Sequence, residues 1–444
     1  MDKVFVFICL LYFWACSVYS VLAPFYPTEA EQRGMSQEMT GFLFSMFALI
    51  AFVFSPITGK LMLKVGRKKV MLVGSIIECV GVFIFAWVVY LEGTAFVAVS
   101  FIGRFLMGVG GSALLTSCFA VLSNIYSDEV ETKIGIMETC GGVGLIVGPL
   151  IGAFLYFVGG YTFVFLSYAV LFLWLSFTTY SYLPEATGSD QDKDNQLSLS
   201  KLAFHPKITV DLGIVVLGMA GPAFLEPILA SHLNDHLSMK SEVIAVLFAL
   251  PTIGYTAAVR IQSMIPKSVD RVFILLLGLT IEGVSFVLVG PWEGLGIRDN
   301  PYVIVTGLVL LGFGSALAYL PSLPHMIETA SRDMEIQNKD VLTDCLSSIM
   351  GTCHYLGEFL APFSAGFLTA KLGFEDSTAV FGVVVLLYSV AYAIGVGALG
   401  RLYKCQLHKE EEVELERLSD DEHLESDFQK PMSYQHFEDE KSVN

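Results

Sequence analysis

A chain of 444 residues that is 54% hydrophobic and only 16% charged does not have the composition of a soluble globular protein. Its formal net charge of −17 gives no electrostatic basis for a nucleic-acid partner, and the thirteen acids and six Lys/Arg of residues 401–444 contribute −7 of it. The eight cysteines are scattered, without the close Cys/His grouping that would hold a structural metal.

A membrane helix requires roughly 20 apolar residues. In chain order, such stretches fall at 4–25, 39–63, 70–90, 95–121, 132–157 and 161–183, then at 209–231, 241–264, 272–291, 301–327, 340–370 and 376–400. The first lacks a basic leader and many comparable stretches follow, so it reads as a span rather than a signal peptide. Lys60, Lys64, Arg67, Lys68 and Lys69 cluster between the second and third stretches, which places that turn in the cytosol. Both termini and the polar connection 184–208 then share that side. The acidic composition of 401–444 predicts a disordered cytosolic tail.

Six carboxylates interrupt the apolar stretches: Glu78, Glu138, Glu226, Glu282, Asp344 and Glu358. Only Arg104 and Arg260 oppose them at comparable depth. A charge in the bilayer core costs about 2.5–3.5 kcal/mol on insertion scales, so such groups line a cavity, pair, or carry protons. A surplus of acids predicts a path for something positively charged.

The two halves echo each other. Gly74–Ser–Ile–Ile–Glu78 recurs as Gly278–Leu–Thr–Ile–Glu282. Gly108, Gly110, Ser112 and Ala113 recur as Gly312, Gly314, Ser315 and Ala316, and Gly148–Pro149 is matched more loosely by Ala361–Pro362. Repeated halves around a central pathway are a habit of secondary transporters.

Residues 138–152 read Glu–Thr–Cys–Gly–Gly–Val–Gly–Leu–Ile–Val–Gly–Pro–Leu–Ile–Gly. Glu138 and Pro149 are eleven positions apart, about three helical turns, and so share a face. Gly144, Gly148 and Gly152 repeat every four residues, permitting close helix approach, and Pro149 removes a backbone donor. Burial disfavours a carboxylate's charge and a bound cation favours it, so protonation of Glu138 can compete with cation binding. A fixed Glu138–Arg104 ion pair is the alternative reading.

Across roughly residues 4–400 this pattern resembles the major facilitator superfamily. Gly59–Lys–Leu–Met–Leu63–Lys–Val–Gly66–Arg67–Lys68–Lys69 is similar to its loop motif, with Leu63 where an aspartate is usual. Arg104–Phe–Leu–Met–Gly108 resembles the fourth-helix motif whose arginine takes part in proton coupling, and 138–152 resembles the fifth-helix motif of proton-coupled antiporters. The resemblance implies an all-α membrane protein of twelve transmembrane helices in two pseudo-symmetric six-helix bundles. Their bounds are 1–183 and 209–400.

Two stretches narrow it. Tyr19–Ser–Val–Leu–Ala–Pro24–Phe–Tyr–Pro27–Thr–Glu29–Ala–Glu31–Gln–Arg–Gly34 and Phe224–Leu225–Glu226–Pro227 both resemble the vesicular amine transporter family, and the first looks most like its vesicular polyamine branch. That likeness implies a substrate-cation or proton-coupling role for Glu226. Independently, Gly221, Pro222 and Pro227 interrupt the helix around Glu226, and broken helices present carbonyls to a cavity. Monoamine and acetylcholine members carry a first-helix aspartate that residues 11–19 lack, and Gly351 stands where an acid would lie eleven positions before Pro362. The eleventh helix has Asp344, His354 and Glu358 instead. His354 and Glu358 are one turn apart and can share a proton. The resemblance makes Glu78 and Glu282 scaffolding on peripheral helices.

The expected function is exchange of protons for organic cations, polyamines such as spermidine and spermine, by alternating access. A proton gradient drives it, with no cofactor, metal or enzymatic step. Expected substrate-binding residues are Glu226, Glu138, Tyr19, Tyr255 and Tyr319, and expected proton-coupling residues are Glu138, Arg104, Glu226, His354 and Glu358. Gly59, Gly66, Arg67, Gly108, Gly144, Gly148, Pro149, Gly152, Pro227 and Pro362 carry the conformational motifs. Trp14, Phe25 and Tyr26 join Tyr19, Tyr255 and Tyr319 as candidates for cation–π contact. A carrier of another solute (monoamine, drug-like cation, sugar or organic anion) and a non-transporting receptor or scaffold are the alternatives. The partners are the cation, protons and the lipid bilayer, with the chain acting as a monomer. Tyr434–Gln–His–Phe437 has the form of a sorting signal read by adaptors. The setting expected is a vesicular or lysosomal membrane, with the plasma membrane as the alternative.

Overall fold

The computed structural model describes residues 3–126, 129–183, 202–262, 264–266, 269–291, 296, 300–334 and 339–395. Most of the 184–208 connection, the whole 401–444 tail with Tyr434–Phe437, and the side chains of Leu63 and Asp344 lie outside the described residues. Met1–Val390 forms one compact unit and residues from Ala391 belong to a second.

The described chain is helical almost throughout. The helices are α1 (Lys3–Val21), α2 (Tyr26–Gln32), α3 (Gln37–Val65), α4 (Arg67–Val88), α5 (Gly93–Ile125) and α6 (Val130–Tyr182). Then follow α7 (Pro206–Leu225), α8 (Leu229–Asp235), α9 (Ser241–Leu247), α10 (Leu250–Gln262), α11 (Arg271–Val289), α12 (Pro301–Tyr319), α13 (Ser322–Asp333), α14 (Lys339–Leu372) and α15 (Phe374–Gly395). Among the described residues, ten helical runs are long and apolar enough to cross a bilayer. The protein is an all-α, multi-pass integral membrane protein.

Local chemistry sets the boundaries. Ser36 caps α3 by accepting from the Met39 amide at 3.4 Å, Asp270 caps α11 through Val272, and Asn300 caps α12 through Tyr302. Gly66 separates α3 from α4 at φ +96°, a backbone setting that only glycine adopts without strain. The expected break between spans 132–157 and 161–183 is present: α6 consists of two helices that meet at a kink at Gly160, φ +72°. A departure is α14, which is long but polar, carrying His354 and Glu358 on a helix too hydrophilic to rank among the ten apolar runs.

Helix packing reproduces the sequence echo as contact geometry. Between α4 and α5, a side chain at Gly74 would meet the Gly110 carbonyl, and one at Gly110 would fall on the Glu78 backbone. Between α11 and α12, Gly278 meets the Gly314 carbonyl and Gly314 the Glu282 backbone in the same way. A second seam joins α6 to α1: Gly144 lies on the Phe13 carbonyl, Gly148 on Ser17 and Ser20, and Gly152 on Val21 and Phe25. Ser17 Oγ donates to the Gly144 carbonyl at 3.0 Å and the buried Tyr168 hydroxyl to the Gly148 carbonyl at 2.8 Å. The glycine spacing therefore builds a helix crossing without large side chains at its centre. Gly108 packs on Ile50 of α3.

Residues early and late in the chain meet at one end of α3. Gly41 lies against the Pro362 carbonyl and Gly366 of α14, and Gly366 against the Gln37 carbonyl, while the Phe42 and Phe363 rings approach to 6.2 Å. α2 contacts α8. This is the end of α3 remote from the basic Lys60–Lys69 turn. Around Gly59, Gly135, Gly142 and Gly351 a side chain would find nothing within 4 Å.

Candidate substrate and proton site

The interruption predicted around Glu226 is present: α7 ends at Leu225, α8 begins at Leu229, and Glu226–Pro227–Ile228 form the turn between them. A proline at 227 supplies no amide for the preceding turn, so the helix cannot continue regularly through this point. Glu226 is half-buried, and the Tyr19 hydroxyl of α1 donates to its Oε2 at 3.4 Å.

Arg104 lies beside this pair and is fully buried. Its guanidinium stands 5.5 Å from the Tyr19 ring centroid, 5.4 Å from Phe44 and 4.9 Å from Phe47, and donates from Nη2 to the Phe44 carbonyl at 3.4 Å. Three aromatic faces stabilise the charge in place of a direct carboxylate partner. Glu226 and Glu358 are both within electrostatic reach of it. The Glu138–Arg104 ion pair weighed from sequence is not formed.

On α14, His354 Nε2 and Glu358 Oε1 are 3.2 Å apart, one turn along the helix, as their spacing predicted. The His354 Nδ1 lies 3.4 Å from the Tyr319 hydroxyl, so both ring nitrogens are engaged. Glu138 is exposed on α6, and its charge acts on His354, Tyr255 and Tyr319 across the intervening space. Glu226, Glu138, Tyr19, Tyr255, Tyr319, Arg104, His354 and Glu358 thus belong to one electrostatic neighbourhood. Glu226 and Glu358 act on the one guanidinium there and Glu138 acts on His354, so carboxylates outnumber the enclosed arginine.

Other candidates fall elsewhere. Trp14 stacks on Tyr168 at 4.9 Å and donates to its backbone carbonyl, Phe25 stacks on Tyr156, and Tyr26 is completely enclosed by Phe44, Phe85 and Phe96. These three rings are part of the buried core. In the basic turn, Arg67 Nη1 is shielded without a hydrogen-bond partner, whereas Lys68 donates to the Leu183 carbonyl at 2.7 Å and sits 4.5 Å over the Tyr180 ring. Lys68 therefore ties α4 to the end of α6. Among the described residues no group of His, Cys, Asp or Glu is arranged for a metal ion.

Sequence reasoning missed Phe44 and Phe47, although their one-turn spacing on α3 was a usable signal. It also missed a seventh acid within a span, Asp211, which is 1% exposed and lies 2.8 Å from His325 Nδ1. A lone acid between Val210 and Leu212 was its visible mark.

Long apolar helices around an interrupted helix with a charged group at its break are the architecture of a multi-pass membrane protein. The chain belongs to the Major Facilitator Superfamily, whose family model matches residues 8–338. It is 28% identical over 382 residues to the Mus musculus protein named MFS-type transporter SLC18B1, covering 85% of this chain and 82% of that one. It is 23% identical over 365 residues to the Homo sapiens synaptic vesicular amine transporter, covering 82% and 68%. The fold is shared with the nucleoside transporter NupG, with a TM-score of 0.70 at 11% identity over 88% of this chain and 99% of that structure. A POT family transporter in complex with 5-aminolevulinic acid gives 0.66 at 12% identity over 88% and 95%.

Proposed function

We propose that this transporter exchanges protons for organic cations, polyamines such as spermidine and spermine, across a vesicular or lysosomal membrane. The observation that carries the reading is Glu226: a carboxylate at a helix break, held by Tyr19, in a neighbourhood where acids outnumber the one enclosed arginine. Likeness to proteins named as amine transporters supports an amine substrate. The missing first-helix aspartate separates the site from the monoamine pattern.

In this reading twelve helices form two six-helix bundles, 1–183 and 209–400, with 184–208, 401–444 and both termini in the cytosol. Contacts near Gly41 and Gly366 close the luminal end, leaving Glu226 and Glu138 facing the cytosol. Ionised, they take up an ammonium-bearing chain between walls of Tyr19, Tyr255 and Tyr319. Rocking of the bundles then exposes the site to an acidic lumen. Protons arriving at Glu226, Glu138 and the His354–Glu358 pair compete with the ligand and release it. Arg104 holds the fixed charge that tunes both exchanges, and the chain works as a monomer.

Flux in proteoliposomes carrying an imposed pH gradient tests this. Spermidine should accumulate against its gradient and compete with spermine better than with serotonin or acetylcholine. Spermidine movement indifferent to the gradient rejects proton coupling, and serotonin preferred over spermidine rejects the polyamine assignment.

A further inference from the structure

Glu282 sits at the middle of α11, 0% exposed, and no charged side chain pairs with its carboxyl group among the described residues. The space for it is supplied by α7: a side chain at Gly221 would overlap its Oε1, and Leu311 of α12 closes the same gap. The buried Ser315 hydroxyl on α12 is the neutral polar group that faces it.

We infer that Glu282 is a further proton-binding carboxyl group of this transporter, able to ionise only when α7 moves away from α11. The inference rests on the proton-exchange reading above.

An ionised carboxylate without a charged partner in such surroundings is disfavoured by several kcal/mol, so the packed state holds the neutral acid. The charged and titratable groups of the neighbouring helices are engaged elsewhere. On α7, Lys207 meets Asp333 and Asp211 meets His325, both of α13, and Glu226 in the turn that follows meets Tyr19. On α12 the titratable groups are Tyr302 and Tyr319 at its two ends, the latter beside His354. On α13, Glu328 pairs with Arg271 at the start of α11. On α15, Glu375 lies beside Gly290, two turns along α11 from Glu282, and is followed by Asp376, while the Tyr388 hydroxyl donates to the Val210 carbonyl. Access to water, rather than a neighbouring charge, therefore controls the proton on Glu282.

That access depends on the helix that carries Glu226. Gly221 and Glu226 are five residues apart on either side of Pro222, so a displacement of α7 alters both the site and the burial of Glu282. Glu78, its counterpart in the sequence echo, is also buried with an unpartnered Oε2 and lies beside Gly111.

The test is Glu282→Gln in the full chain, purified and reconstituted in liposomes. Infrared difference spectra between acidic and alkaline pH should contain a protonated-carboxyl carbonyl band that the variant lacks. Gradient-driven spermidine accumulation should fall about tenfold further than spermidine counterflow does. A variant spectrum identical to wild type overturns the inference, as does unchanged accumulation when the wild type is gradient-driven. A wild type that ignores the gradient defeats the proton-exchange reading instead, and the infrared band still decides whether Glu282 titrates. If Glu282→Gln does not fold, Gly221→Ala places a methyl group on Oε1 and should move the pH at which the band disappears. An unmoved band overturns the inference.

Discussion

Replacing Glu226 by Gln isolates the charge of the proposed substrate site. The side chain keeps its size, and its amide oxygen can still accept from the Tyr19 hydroxyl at 3.4 Å, so the α1–α7 contact survives. What disappears is the anionic pole opposite an ammonium group. A charge-assisted hydrogen bond contributes about 1.5–3 kcal/mol net, and losing it weakens binding about 10- to 150-fold. Arg104 shifts the expectation toward the upper end: it is fully buried, and with Glu226 neutral its charge repels the ligand with one counter-charge fewer. Equilibrium binding of radiolabelled spermidine to the purified protein at fixed pH gives the number directly. An affinity within about threefold of wild type would refute the placement of Glu226 in the site. Thermal unfolding should be unchanged, which distinguishes a lost pole from a lost fold.

Four further outcomes follow from other contacts. Arg104→Lys keeps the charge but loses the planar group lying against Tyr19, Phe44 and Phe47, so gradient-driven flux should fall at least about tenfold while the protein still folds. His354→Gln removes the titrating partner of Glu358 and should flatten the pH profile of transport between about pH 5 and 8; an unchanged profile rules out the pair as a coupling element. Tyr168→Phe leaves the Gly148 carbonyl without its 2.8 Å donor and should destabilise the fold by about 1 kcal/mol, read as a lower unfolding midpoint with the same substrate ranking. Gly366→Val drives a side chain into the Gln37 carbonyl and Gly41, and overpacking of about 1–3 kcal/mol should disfavour closure of that end roughly 5- to 150-fold. Thiol labelling of a cysteine placed in the site from the non-cytosolic side reports it.

The helices and their repeated crossing were legible because both are local patterns. The Gly74/Glu78/Gly110 arrangement needs only glycine at the right spacing to reappear as Gly278/Glu282/Gly314, and the structure makes the same crossing from each. His354 and Glu358 were equally readable, since one turn of helix fixes their meeting. The site itself was less so. Tyr19 and Glu226 are 207 positions apart, and no periodicity relates residues brought together by two different helices. The fixed Glu138–Arg104 ion pair of the alternative reading is not formed, for a related reason. Shared helix faces say which way a side chain points, while the packing of α3 decides what lies there, and Phe44 and Phe47 enclose Arg104 before any carboxylate reaches it. Tyr26 lies in a suggestive stretch, yet its ring is fully enclosed in the core, which no local pattern announces.

The imbalance of three carboxylates against one enclosed guanidinium also bears on leakage. A cavity with uncompensated negative charge resists being sealed between hydrophobic walls, because desolvating the excess is unfavourable. In the proposed exchange, loading with a polyamine or with protons brings the site toward neutrality and lets it close, so the empty, ionised carrier is the form least able to change orientation. Arg104 cannot relieve this, being unable to surrender its own charge. Under the proposed proton exchange, tight coupling with little slippage of either ion alone is the expected result of this charge imbalance, without a separate gate to enforce it.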